Sequence, residues 1–233
     1  MTIKDMHYDF KKKLNKIDSQ QNRNLLIPEI DWTLNEAQEL YVKIVAFPKR
    51  YEHLGFEIGQ RTIDDIKTLV EPLHCIDVID HVATLPDNYW FYINGEVHMD
   101  KGNCKNVKGN LFIRQHNDSF EDSPFDDSSF EWRTVNGVFD KTGIRLFNQD
   151  FIVTNLCINY LRKMKHIHNA EGFRDGQYKL PSGQILSGFQ NCELPEHTHR
   201  EIVDIAVLLA TGELQIPDYQ IKQNKLNFNQ INK

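Results

Sequence analysis

Two His-x-His pairs, His166/His168 and His197/His199, have the spacing in this chain that best suits chemistry. On an extended strand, residues i and i+2 project from one face, so His166 and His168 could hold one metal ion. With His197 and His199 folded nearby, a multi-histidine zinc or iron site would result. Against this, no acidic residue stands at a spacing that completes a recognised ligand triad. Lys163 and Lys165 beside His166 would repel a cation, and His199 falls in the first turn of a helix. We read the four as surface or interface histidines, with no cofactor, no metal and no catalytic residue expected. A metal-dependent enzyme using them is the rival from a different class. The phosphate-binding, dinucleotide, zinc-protease and serine-hydrolase signatures are absent from the sequence.

Three further clusters invite a chemical reading. Asp118, Glu121, Asp122, Asp126 and Asp127 crowd one loop, residues 117–130. The alternation and closing Glu of an EF-hand are missing, so calcium is not expected there. A solvated loop is one reading; an acidic wall facing a DNA passage, which repels phosphate and avoids trapping it, is the functional one. The run Tyr89, Trp90, Phe91 and Tyr92 could stack single-stranded bases. No basic residue interleaves with it, so core packing is favoured. Lys11, Lys12 and Lys13 read as the solvated face of a helix.

The composition narrows the classes. The chain has 233 residues, with 40% hydrophobic and 26% charged, and a formal charge of −6. That charge excludes a bulk electrostatic grip on nucleic acid, and no run is long enough for a membrane span. No secretory leader is expected. Cys75, Cys104, Cys157 and Cys192 are scattered without a CxxC pair, which predicts free thiols in a reducing compartment.

The elements that must position these groups follow from periodicity. Ile3, Met6, Phe10, Leu14 and Ile17 recur at helical steps. Residues 25–28 read as an extended connection. Thr33 and Glu36 make a capping box that predicts a helix from Leu34, with Leu34, Ala37, Leu40, Tyr41, Ile44 and Val45 as its stripe. A third helix is expected over residues 62–70, and a short turn over 76–83. From residue 87 the pattern is antiparallel β, with Asn94-Gly95 and Asn136-Gly137 as hairpin turns. Leu111, Ile144 and residues 151–164 mark further strands. A last helix, apolar around nearly its whole circumference, begins at a second capping box, Thr198 and Glu201, and contains Ile202, Ile205, Leu208 and Leu209. The tail beyond Pro217 is polar with isolated apolar anchors. The expected fold is α+β: a helical bundle (1–86 plus the buried helix 191–214) with an inserted antiparallel β region (87–190) and an extended C-terminal arm (215–233).

Two stretches carry a resemblance. DFKKKLNKIDSQQNRNLLIPEIDWTLNEAQELYVK, residues 9–43, resembles the N-terminal signature of a virion protein of crAss-like bacteriophages, the short-tailed phages of gut Bacteroidota. ELPEHTHREIVDIAVLLATGELQIPDYQIKQNKLN, residues 193–227, resembles the C-terminal end of the same proteins. The resemblance implies a structural protein of the portal–tail region: a head–tail connector or adaptor in a closed, twelve-fold homomeric ring. Its location would be the virion, after synthesis in the bacterial host cytoplasm. The expected partners are further copies of itself, the portal protein, adjacent tail rings and passing double-stranded DNA without sequence-specific contacts; no membrane is implied. By analogy with podoviral adaptors, Ile216, Tyr219, Ile221, Leu226 and Phe228 of the arm are expected to anchor on the portal or a neighbouring ring. Ile202, Ile205, Leu208 and Leu209 are expected to seal the bundle or a subunit boundary. A more distal tail-stub ring is the runner-up.

Overall fold

The computed structural model describes residues 1–15, 25–46, 64–114, 127–148 and 150–213. The chain divides into two units, one of Val70–Lys163 and one of Met1–Leu69 with Met164–Lys233.

The first unit is a closed barrel of seven strands: β1 (Val70–Ile79), β2 (Val82–Thr84), β3 (Tyr89–Lys101), β4 (Cys104–Arg114), β5 (Thr134–Phe139), β6 (Gly143–Phe147) and β7 (Ile152–Arg162). Their order is β1-β2-β6-β5-β4-β3-β7, and β7 returns to β1. Every pairing is antiparallel except β4 with β5, which run parallel. Inward positions alternate along the strands, as a barrel requires. Val97 and Met99, Leu111, Val135, Ile144 and Leu146, then Leu156, Ile158 and Tyr160 fill the interior.

This overturns the expected fold class. The β region is a closed mixed barrel with its own core, where a helical bundle with an antiparallel insert was expected. Two misread signals explain the difference. Residues 70–79 were expected to finish one helix and begin a turn, yet they form β1, with Ile76 and Val78 packed against the barrel core. Both Asn-Gly pairs lie inside strands. A Cβ on Gly137 would meet Leu111 Cδ1 at 3.1 Å and Ile144 Cγ2 at 3.1 Å, so glycine is present for close packing across the barrel. Two-residue turns fall instead at Asp80-His81, at φ 49° and 63°, and at Gly102-Asn103 between β3 and β4. The thiol expectation also changes: Cys75 and Cys157 sit opposite one another on β1 and β7 and form a disulfide, while Cys104 and Cys192 are free.

The second unit holds α1 (Ile3–Asn15), α2 (Ile27–Ala46) and α3 (His199–Glu213). Thr2 and Asp5 cap α1 reciprocally: Asp5 Oδ2 accepts from Thr2 N at 2.9 Å, and Thr2 Oγ1 accepts from Asp5 N at 3.3 Å. Ile3, Met6, Phe10 and Leu14 of α1 are buried. The second helix starts at Ile27, earlier than the expected Leu34. Pro28 suits its first turn, and Leu26 N donates to Glu29 Oε2 at 2.7 Å. Thr33 is therefore interior and donates to Glu29 O at 2.9 Å. Thr198 Oγ1 donates to Pro195 O at 2.9 Å in the 3-10 turn that precedes α3. That last helix packs against both α1 and α2. Ile202, Val203 and Ala206 are fully buried and Ile205 nearly so, while Leu208 and Leu209 are half-buried. Lys13 of α1 bridges Asp9 at 2.7 Å and Asp204 of α3 at 2.9 Å. A small hairpin, β8 (Gln177–Lys179) with β9 (Ile185–Ser187), packs Tyr178 and Leu186 around Ala170. No described helix is long and apolar enough to cross a membrane.

Candidate functional site

A buried polar cluster among the described residues lies in the helical unit and is centred on Asp31. An apolar stripe brings one face of α2 inward, and Asp31 stands on that face with no exposure at all. A buried carboxylate persists only if donors replace water. Three do so: His7 Nε2 lies 2.7 Å from Oδ1, Tyr178 Oη donates to Oδ2 at 2.8 Å, and Asn169 N donates to Oδ2 at 3.0 Å. Burial, and then the adjacent Asp31, push the Tyr178 hydroxyl far above its ordinary pKa. One turn on, Asn35 grips the chain at Ile167. Its Nδ2 donates to Ile167 O at 2.7 Å, and its Oδ1 accepts from Ile167 N at 2.9 Å.

That grip fixes the first histidine pair. His166 Nδ1 is 3.5 Å from Asn35 Nδ2, and burial lowers the ring's pKa, with Asp31 opposing and His168 adding to the shift. His168 exchanges two backbone hydrogen bonds with Gln190, at 3.2 and 2.9 Å. His166 Nε2, His168 Nδ1 and Asn169 Oδ1 are buried without a hydrogen-bond partner.

The second pair is engaged elsewhere. His197 Nε2 lies 2.6 Å from Asp65 Oδ1, and Tyr41 Oη donates to the other carboxylate oxygen at 3.1 Å. His199 faces two carbonyls, Leu194 O at 2.8 Å and Met1 O at 3.1 Å. Only an imidazolium donates to both, but burial lowers the pKa of this ring. The two carbonyls oppose that shift. Among the described residues, three candidate ligand atoms come within 4.8 Å of one another at Glu96, His98 and Cys157, on the barrel.

The remaining candidates fall as follows. Asp127 is exposed; Asp118, Glu121, Asp122 and Asp126 lie outside the described residues, as do Ile216, Tyr219, Ile221, Leu226 and Phe228. The aromatic run packs rather than stacks outward: Tyr89 and Tyr92 meet Phe139 at 6.3 and 5.9 Å between ring centres. Trp90 lies on Phe91 at 4.6 Å.

Chemically, Asp31 fills three of about four acceptor positions, and every donor to it is a structural element of the unit. The cluster clamps α1, α2, the 166–169 segment and β8 together and presents no activated nucleophile. His7, Asp31, Asn35 and Tyr178 were not singled out in the sequence. A signal existed: Asp31 and Asn35 interrupt the apolar stripe of α2 four residues apart, and His7 adjoins Met6 on the buried side of α1. No family model matches the chain, and no curated protein matches it at a significant level.

Proposed function

We propose that this chain is a structural virion protein: a head–tail connector or adaptor subunit in a closed ring of its own copies, between the portal and the adjacent tail rings. The observation that carries the reading is where the tryptophans stand. Of three in the chain, Trp32 on α2 is 56% exposed and Trp132, in the turn before β5, is 81% exposed. Tryptophan is highly buried on average and enriched at the centres of interfaces, so two indoles in water on one chain mark surfaces awaiting partners. Tyr8 and Ile79 add 71% and 72% exposed apolar bodies. A ring follows when such patches meet head to tail and the rotation closes.

In this reading the arm anchors on the portal or a neighbouring ring, and the carboxylates of the acidic loop face the DNA passage. His197 is committed to Asp65 and His199 to backbone carbonyls, so the four histidines do not converge on one site as the enzymatic alternative requires. Light-scattering mass tests it, on the chain alone and with a portal protein of a crAss-like phage. Three further forms are compared: Trp32→Ser, Trp132→Ser and the chain truncated after Gly212. Portal-dependent assembly that weakens at least tenfold in the serine variants and vanishes on truncation is expected. A wild-type chain that stays monomeric and indifferent to portal overturns the connector assignment.

A further inference from the structure

Three neighbouring strands of the barrel bring metal-binding side chains together outside its core, with Cys157 buried, Glu96 and His98 half-buried and Cys75 exposed. Val97 and Leu156 point into the core, so their neighbours Glu96, His98 and Cys157 point the other way. The register puts Glu96 opposite Cys157 across β3 and β7, and Cys157 opposite Cys75 across β7 and β1. His98 lies two residues from Glu96 on the same face. Two observations single the patch out. Candidate ligand atoms of Glu96, His98 and Cys157 lie within 4.8 Å of one another. His98 Nε2 is also buried with no hydrogen-bond partner, and its distance of 3.8 Å from Glu96 Oε1 is too long for a hydrogen bond.

We propose that reducing the Cys75–Cys157 disulfide converts this patch into a zinc site, with Cys157, Cys75, His98 and Glu96 as ligands. The chemistry balances simply. A phosphine or dithiol reductant supplies two electrons, two protons are taken up, and the S–S bond becomes two thiols. Zn²⁺ then displaces both thiol protons and is held by two thiolates, the His98 imidazole nitrogen and the Glu96 carboxylate. The geometry is within reach. Tetrahedral zinc with Zn–S of about 2.3 Å and Zn–N or Zn–O of about 2.0 Å needs ligand atoms about 3.3–3.8 Å apart. The His98–Glu96 separation of 3.8 Å is only about 0.5 Å longer than the N···O pair of such a site needs, and side-chain rotation closes the rest. In the oxidised form, Lys108 neutralises Glu96 at 2.8 Å. Its side chain is 64% exposed and free to swing into water when the metal arrives. Zinc and the disulfide are mutually exclusive, so the patch would report the redox state of its surroundings. This inference is independent of the ring assignment.

The test is equilibrium dialysis of the full chain against zinc chloride, followed by metal analysis. Chain oxidised at Cys75–Cys157 is compared with chain reduced by a phosphine. One zinc per reduced chain and none per oxidised chain is expected. His98→Gln, at a partly exposed position, should weaken binding at least 100-fold while leaving the circular dichroism unchanged. Cys75→Ser cannot form the disulfide; it should bind zinc through Cys157, His98 and Glu96 after purification without reductant. Equal zinc in the oxidised and reduced chains overturns the proposal. So does zinc that persists at full affinity in His98→Gln, because it would then reside at Cys104, Cys192 or elsewhere.

Discussion

Replacing Asp31 by alanine removes the acceptor of three buried donors at once. His7 Nε2, Tyr178 Oη and Asn169 N all end at this carboxylate, and His7, Asn169 and Tyr178 are each less than a tenth exposed. A buried donor left unpaired costs about 1–3 kcal/mol, so three give an upper bound of about 9 kcal/mol. One effect reduces this: the cost of burying the carboxylate charge disappears with it. With that offset we expect Asp31→Ala to cost about 3–5 kcal/mol, inside the bound set by the three lost hydrogen bonds. For a chain of this size that is a drop of about 6–20 °C in the helical transition. Urea denaturation followed by the helical circular dichroism signal reads the unit that contains the site. Asp31→Asn retains one acceptor oxygen and should lose about half as much. Tyr178→Phe should destabilise the wild type by about 1–2 kcal/mol and the Asp31→Ala chain by much less, because the bond is already gone. An Asp31→Ala chain within about 1 kcal/mol of the wild type would refute the clamp, and so would strict additivity with Tyr178→Phe.

A Cβ on Gly143 would stand 2.0 Å from Ala83 O, a backbone atom, while one on Gly137 meets side chains at 3.1–3.2 Å. Gly137→Ala should cost about 1–3 kcal/mol and Gly143→Ala distinctly more, measured by urea denaturation of the barrel. Burial holds the pKa of His166 and of His199 below the ordinary 6.5. The unfolded chain therefore takes up protons first; stability is complete above pH 6.5 and declines as the pH falls below it. His166→Asn should flatten that decline in a thermal-shift series from pH 7.5 to 5, and an unchanged slope would dismiss the histidine as its source. Tyr92 Oη is buried without a partner, and burial pushes its pKa up to about 12. Tyr92→Phe should therefore be neutral or stabilise by up to about 1 kcal/mol, and a loss beyond 1 kcal/mol would reveal a partner.

What was legible in the sequence was mostly local. The stripe Ile3, Met6, Phe10 and Leu14 needs only the helical period, and the structure buries all four. The apolar last helix declared its own burial in the same way. The barrel was harder, because closure is a long-range property: nothing near Val70 says that it will pair with Leu161. Turn chemistry misled for a physical reason. Asn-Gly is favoured in tight turns, but Gly137 stands inside a strand where Leu111 and Ile144 come within 3.1 Å of the place a Cβ would take. The disulfide was hidden by 82 residues of separation. The Asp31 cluster was half-visible, since polar residues on an apolar stripe are a warning, but its donors come from three other segments.

The split of the helical unit by the barrel has a consequence in time. Helix α2 is complete at Ala46, and α3, on which both earlier helices pack, begins only at His199. At about 5–20 residues per second, the apolar faces of α1 and α2 wait roughly 8–30 s for their partner to leave the ribosome. Meanwhile β1 must wait for β7 before the barrel closes, which is slow for such distant pairings. Val70 pairs with Leu161, so barrel closure also draws the two separated stretches of the helical unit toward each other. The nascent chain is therefore most vulnerable to aggregation during its own synthesis, and slower growth at lower temperature should raise soluble yield before any substitution does.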